Sequence, residues 1–236
     1  MHMLVMLGIL AAVFFLAMIL MCCFREHLKS RLIHVLFLVV TAICFFAWNY
    51  AAYERGWLKD GFMTLENISP FICTVILFSP FLGQKVRDFA HATIAFLAFG
   101  MFLALFISPG AEYLSSYRYT ATFMNISEAA CHLVMALYGY YLVLCNKVEI
   151  NFKSFIRSTI FIYASILFGV FLNWCFHLNN FGMDMYGGYS IYFLDIFGSF
   201  AATFVAYLVG VFGTILLGYI SAHFVDWVSS PAQKEE

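Results

Sequence analysis

Long runs of apolar residues, broken only by short charged segments, recur along the whole of this chain. A helix needs about 20 apolar residues to cross the hydrocarbon core of a bilayer. Seven stretches meet or approach that length: residues 3–24, 32–52, 68–83, 89–108, 123–145, 158–177 and 191–224. Hydrophobic residues fill 64% of the 236 positions and charged residues only 11%, where a soluble domain carries roughly a quarter. The expected fold is therefore all-α, a single domain over residues 1–236 built as a polytopic bundle of seven transmembrane helices. Its expected place is the cell membrane, as a multi-pass protein.

Basic residues set the expected orientation, because cytoplasmic loops accumulate lysine and arginine. Arg25, Lys29, Arg31, Lys85, Arg87, Lys147, Lys153 and Arg157 follow the first, third and fifth runs, and Lys234 in the tail falls on the same side. Arg55, Lys59 and Arg118 are the remainder. This pattern puts the N-terminus outside and the C-terminus in the cytoplasm. No basic residue precedes the first run, which is the wrong flank for a cleaved signal peptide, so that run is expected to remain as a helix. The net charge of −1 and the lack of a basic recognition face exclude nucleic acid as a partner.

The seven cysteines include no C-x-x-C pair. Their odd number and spacing argue against a disulfide framework or a zinc ribbon and suit small buried hydrophobes. The last run carries Gly198, Ala202, Ala206, Gly210, Thr214, Gly218 and Ala222 at intervals of four. Such a stripe lets helices approach closely in lipid, and it predicts a long helix packed on more than one neighbour.

Polar residues inside the runs gather toward the end expected to face outside. Asn49 and Tyr50 close the second run, and Glu66, Asn67, Ser69 and Cys73 open the third. Asn125, Ser127, Glu128 and His132 open the fifth, with Glu128 and His132 one helical turn apart. Asn173 and His177 close the sixth, again four apart, and Asp195 lies about one turn into the seventh. A charge in lipid costs at least about 2.5–3.5 kcal/mol, so Glu128 and Asp195 require partners or a wet cavity, and His132 and His177 are the available imidazoles. The expectation is a polar cavity near the outer leaflet. His34, His91 and His223 sit at run edges and read as interfacial, and Glu66 reads as a helix cap.

Each of these polar residues taken singly is as well explained as a tie between helices; the clustering is what points to a site. A thiol or hydroxyl with an imidazole base suits acyl transfer or lipid hydrolysis, with Cys73 or Ser69, His132, and Glu128 or Asp195 as the parts. A metal site from His132, His177 and the carboxylates lacks the H-x-x-x-H or H-E-x-x-H spacing, and neither a metal nor a cofactor is expected. A proton-coupled transporter would place its acids near the midplane and show inverted repeats, which are not visible here.

The segments "NISPFICTVILF", "FISPG", "SEAACHLVMALYGYYLVL" and "FLNWCFHLNNFGMDMYGGY", in that order, resemble the YwaF-like bacterial integral membrane proteins. That family is similar to a eukaryotic transmembrane acyltransferase family linked to ether-phospholipid acylation, and more remotely to androgen-induced hydrolases of branched fatty-acid esters. The resemblance covers roughly residues 66–220. It implies a seven-helix protein with an acyl-handling cysteine and histidine, at Pro70 and Cys73, His132, Asn173, and Asn179 or Asn180 with Tyr186 or Tyr189. The chain departs from the pattern where family members carry a histidine in the third-helix motif, since Phe71 or Ile72 stands there.

The resulting expectation is a membrane-embedded enzyme acting on a lipid acyl chain, with Cys73 as nucleophile, His132 as general base and Glu128 orienting it. Asn49, Ser69, Asn125, Asn173, His177 and Asp195 would bind substrate. The alternatives are a transporter or lipid-binding protein using the same cavity without covalent chemistry, and a structural subunit whose polar groups satisfy one another. Membrane lipid is the expected partner, with a second membrane protein or a further copy of the chain possible.

Overall fold

A computed structural model describes residues 3–54, 68–113, 123–178, 180–182 and 198–229. Among them the chain is helical, with no strand. The helices are α1 (Met3–Cys23), α2 (Arg25–Leu28), α3 (Arg31–Glu54), α4 (Ile68–Phe78), α5 (Gln84–Tyr113), α6 (Phe123–Leu144), α7 (Phe152–Phe176) and α8 (Phe200–Ser229). Five segments are long and apolar enough to cross a membrane: Arg31–Ala51, Gln84–Leu103, Ile126–Leu144, Phe152–Phe176 and Phe200–Ser229. Gly8–Cys23, within the 21-residue α1, and Ile68–Phe81 are shorter apolar stretches, so five of the seven expected runs coincide with segments of spanning length.

Local chemistry fixes several boundaries that hydropathy alone misplaces. Hydropathy starts the sixth run at 158, yet α7 begins at Phe152 because extended Asn151 caps it, its side chain accepting from the Ser154 N–H at 2.8 Å. At the end of α6, Asn146 adopts φ 54°. The Lys147 N–H reaches Leu142 O and the Asn146 N–H reaches Val143 O, both at 2.9 Å, which closes the helix in a Schellman turn. Ser79–Phe81 winds α4 into a 3-10 turn at Pro80. The seventh run was placed at 191–224; α8 covers Phe200–Ser229, and residues 191–197 lie outside the described residues.

Two helices form the centre. Of their apolar windows, 78% of α6 and 61% of α5 is buried, against 33% of α7, 22% of α3 and 17% of α8, so the last three present most of their surface outward. That surface is apolar: Phe46, Phe168, Val209 and Phe224 are all exposed, as is Leu16 of α1, which a lipid solvent accommodates and water does not. The α5–α6 seam is close because Gly139 faces α5, where an added Cβ would lie 2.5 Å from Ala98 Cβ and 3.0 Å from Ile94 O. Gly218 brings α8 equally near, onto the backbone of Phe96. The small-residue stripe of α8 is thus used over its C-terminal half, where Thr214 meets Gly100, whereas Gly210 faces open space.

Hydrogen bonds then tie neighbours, as in other lipid-facing bundles. Thr93 donates to Ser158 at 3.1 Å between α5 and α7, Tyr140 to Ser221 at 3.1 Å between α6 and α8, and Tyr163 to Leu208 O at 2.7 Å between α7 and α8. Arg25 spans three helix ends, donating to Leu144 O at 2.6 Å, to Asn146 Oδ1 at 2.7 Å and to Ser229 O. A cation suits the carbonyl ends of α6 and α8. Arg31, Lys85, Arg87, Lys147 and Arg157 gather at this same end, called the basic end below.

Candidate functional site

The polar residues of α4 and α6 meet at the end opposite the basic one. Ser69 is in the first turn of α4 and His132 is nine residues into α6. Ser69 Oγ lies 2.7 Å from His132 Nε2, and both residues are buried, His132 at 1% exposure. The other ring nitrogen, Nδ1, is 3.0 Å from the main-chain carbonyl of Glu128. A carbonyl only accepts, so Nδ1 carries the proton and Nε2 presents a lone pair to the serine hydroxyl. The hydroxyl, imidazole and carbonyl form a relay with one proton direction. Trp48 of α3 covers the ring, centroids 6.1 Å apart.

The other expected residues fall as follows. Cys73, one turn below Ser69 on α4 and fully buried, faces sulfur: Cys131 Sγ and Met135 Sδ each lie 3.4 Å from its Sγ. The structure thus sets His132 against Ser69 and sets Cys73 in a sulfur cluster beside it. Glu128 is buried one turn before His132, and its carbonyl is the group that holds the ring. Asn49 is buried and donates to Phe45 O in its own helix at 2.7 Å.

Asn173 and His177 do not share a face, because α7 closes at Phe176 and His177 turns away in the left-handed region at φ 54°. His177 is exposed. Asn173 is buried and pairs with the backbone of Asn180, donating to its carbonyl at 2.9 Å and accepting from its N–H at 2.6 Å. This amide holds the chain as it leaves α7, with Phe181 tucked onto Gly169. Beyond its place in the first turn of α6, Asn125 lies outside the described residues, as do Asp195, Glu66, Asn67, Asn179, Tyr186 and Tyr189. Among the described residues, no group of three or more His, Cys, Asp or Glu is gathered for a metal.

A second polar site lies where hydropathy suggested only interfacial residues. A cavity of about 910 Å³ opens at the basic end, with His34 and His91 in its lining. Their rings are 6.2 Å apart, and Tyr138 and Tyr141 stack with each other at 5.9 Å against His34. The sequence did hold a signal. His34 follows Arg31 by three residues and His91 follows Arg87 by four, so each imidazole sits one turn beyond a basic residue of its own helix.

Comparison with protein-family models, with curated proteins and with solved structures finds no match to this chain.

Proposed function

We propose that this chain is a seven-span membrane enzyme that transfers or hydrolyses a lipid acyl group, with Ser69 as nucleophile and His132 as general base. The observation that carries the reading is the 2.7 Å contact of Ser69 Oγ with an imidazole nitrogen left free to accept a proton. Nucleophile, base and orienting group stand in the order that acyl chemistry requires. The expected thiol, Cys73, has no base in contact among the described residues, so the hydroxyl is the better nucleophile on geometry. The exposed apolar helices support a membrane setting, and the collected cations support an orientation with the basic end in the cytoplasm and the N-terminus outside.

In the reaction, Ser69 Oγ attacks the acyl carbonyl as its proton passes to His132 Nε2. The oxyanion forms beside the first turn of α4, whose positive dipole end favours the developing negative charge. Collapse expels the lipid alcohol, which takes the proton from His132 and leaves an acyl-serine. A second alcohol, or water, then gives its proton to Nε2 and attacks the ester, restoring the hydroxyl.

A lipid-tailed fluorophosphonate, followed by intact mass of the detergent-purified protein, tests this assignment. We expect one adduct on the wild type and on Cys73→Ala, none on Ser69→Ala, and labelling of His132→Ala slowed at least about 100-fold, the range of general-base catalysis. An adduct lost in Cys73→Ala and kept in Ser69→Ala would move the chemistry to the thiol. Equal behaviour of all four proteins would end the enzyme reading and leave Ser69 and His132 as a tie between α4 and α6.

A further inference from the structure

The cavity at the basic end has an excess of positive charge that its own carboxylates only partly offset. Arg31, Lys85, Arg87, Lys147 and Arg157 line it, against Asp88 and Glu149, a net charge of +3 with the histidines neutral. None of these cations has a salt bridge among the described residues; the ion pair there, Lys29 with Glu26, lies outside the cavity. Three helices also begin at this end, α3 at Arg31, α5 at Gln84 and α7 at Phe152. Their positive dipole ends add to the same field. Burial first, and the nearby Arg87 after it, push the Lys147 ammonium below its ordinary pKa.

The floor makes a second, independent case for a ligand. His91 is 5% exposed, and its Nε2 has no hydrogen-bond partner; His34 Nδ1 is likewise buried and unpartnered. Buried nitrogens of this kind are rare, since each forfeits its hydration without return. The positive-inside rule accounts for basic loops. It does not account for cations around a cavity, nor for imidazoles beneath them lacking partners.

We propose that this vestibule binds a phosphate ester, with Arg87, Lys147 and Arg157 around the phosphate oxygens and His91 Nε2 donating from the floor. A tetrahedral anion has oxygens facing several directions at once, as the cations on α5, α7 and the α6–α7 loop do, whereas a carboxylate has two in one plane. Three arginines favour the same choice, because the guanidinium fork matches phosphate. The volume falls within the range of small-ligand sites. The phosphate has two possible sources, the headgroup of an anionic lipid entering from the leaflet or a soluble phosphate monoester. This site is independent of Ser69 and His132.

Native mass spectrometry of the full chain in detergent, titrated with phosphatidylglycerol, phosphatidylcholine or glycerol 3-phosphate, separates the sources. Retention of phosphatidylglycerol over phosphatidylcholine identifies a lipid headgroup; binding of glycerol 3-phosphate with no such preference identifies the soluble ester. In either case the Arg87→Gln, Arg157→Gln double variant should bind at least about tenfold more weakly, as loss of charge-assisted hydrogen bonds implies. Lys153→Gln, which removes a charge from the first turn of α7 outside the cavity, should bind as wild type. The thermal midpoint of each variant without ligand separates lost binding from lost folding. Equal retention of both lipids with no glycerol 3-phosphate bound, or unchanged binding by a folded double variant, overturns the proposal.

Discussion

Two histidine sites sit along α6, about 14 Å apart if measured from His132 to Tyr141 at the rise of a helix, and they are built on opposite terms. At His132 both ring nitrogens are engaged, by Ser69 and by the Glu128 carbonyl, and Trp48 closes over the ring. At His91 and His34 a nitrogen of each ring is buried without a partner, beneath cations that have no carboxylate paired with them. The first site is satisfied by the fold and stabilises it. The second is left unsatisfied among the described residues, and the proposed phosphate ester is what would complete it. A polar group's contribution to stability is set by whether its partner is within the chain, and the same residue type plays both parts here.

The largest effect should come from breaking the seam that holds both sites in register. Gly139 lies between them on α6, against Ile94, Ala95 and Ala98 of α5. Gly139→Val would drive α5 and α6 apart and should cost about 3 kcal/mol, read as a large fall in thermal midpoint and in monodisperse yield in detergent.

Next is the contrast between the histidines. His132→Ala removes the acceptor of Ser69 and opens a cavity, and should cost about 2 kcal/mol. His91→Leu replaces an unpartnered nitrogen with apolar volume, so its ligand-free stability, read from the thermal melt, should stay within about 0.5 kcal/mol of wild type or rise. Equal losses from the two would erase the distinction between a satisfied site and an unsatisfied one. Within the closed site, Cys73→Ala should cost about 1 kcal/mol through a small void, measured by the same melt.

The smallest effect is a pH dependence at the open site. Folding depresses the Lys147 pKa below 10.5, through burial first and Arg87 after it. Between the folded and unfolded values the unfolded chain therefore binds more protons, and stability rises with pH over that window. Thermal midpoints followed up to pH 10.5 should show this rise in wild type, less of it in Lys147→Gln, and less again when glycerol 3-phosphate fills the vestibule and favours the charged amine.

Much of the helical framework was legible because apolar run length reports directly on what lipid admits. The runs at 32–52, 89–108 and 123–145 each fall within or beside a helix of the structure. Capping was less visible: Asn151 extends α7 by six residues through one side-chain hydrogen bond, and Asn146 ends α6 by adopting a left-handed turn. Spacing brought Glu128 and His132 together on one face, but it could not tell that the Glu128 main-chain carbonyl accepts the hydrogen bond from the ring N–H. Nor could it choose between Ser69 and Cys73, which are four apart on the same side of α4. Asn173 and His177 show the converse, a four-residue spacing that means nothing once the helix has ended between them.

The sequence by itself determined that this chain folds as helices suited to lipid, that its cations collect at one end, and that serine, cysteine and histidine stand near the other. Composition and spacing act along the chain, so these properties are readable one segment at a time. Only the tertiary structure decided which side chain faces His132, and that His34 and His91 meet over a cavity. Those outcomes depend on the rotation of each helix about its axis. That rotation is fixed by close contacts such as Gly139 on α5 and Gly218 on Phe96, between residues far apart in the chain.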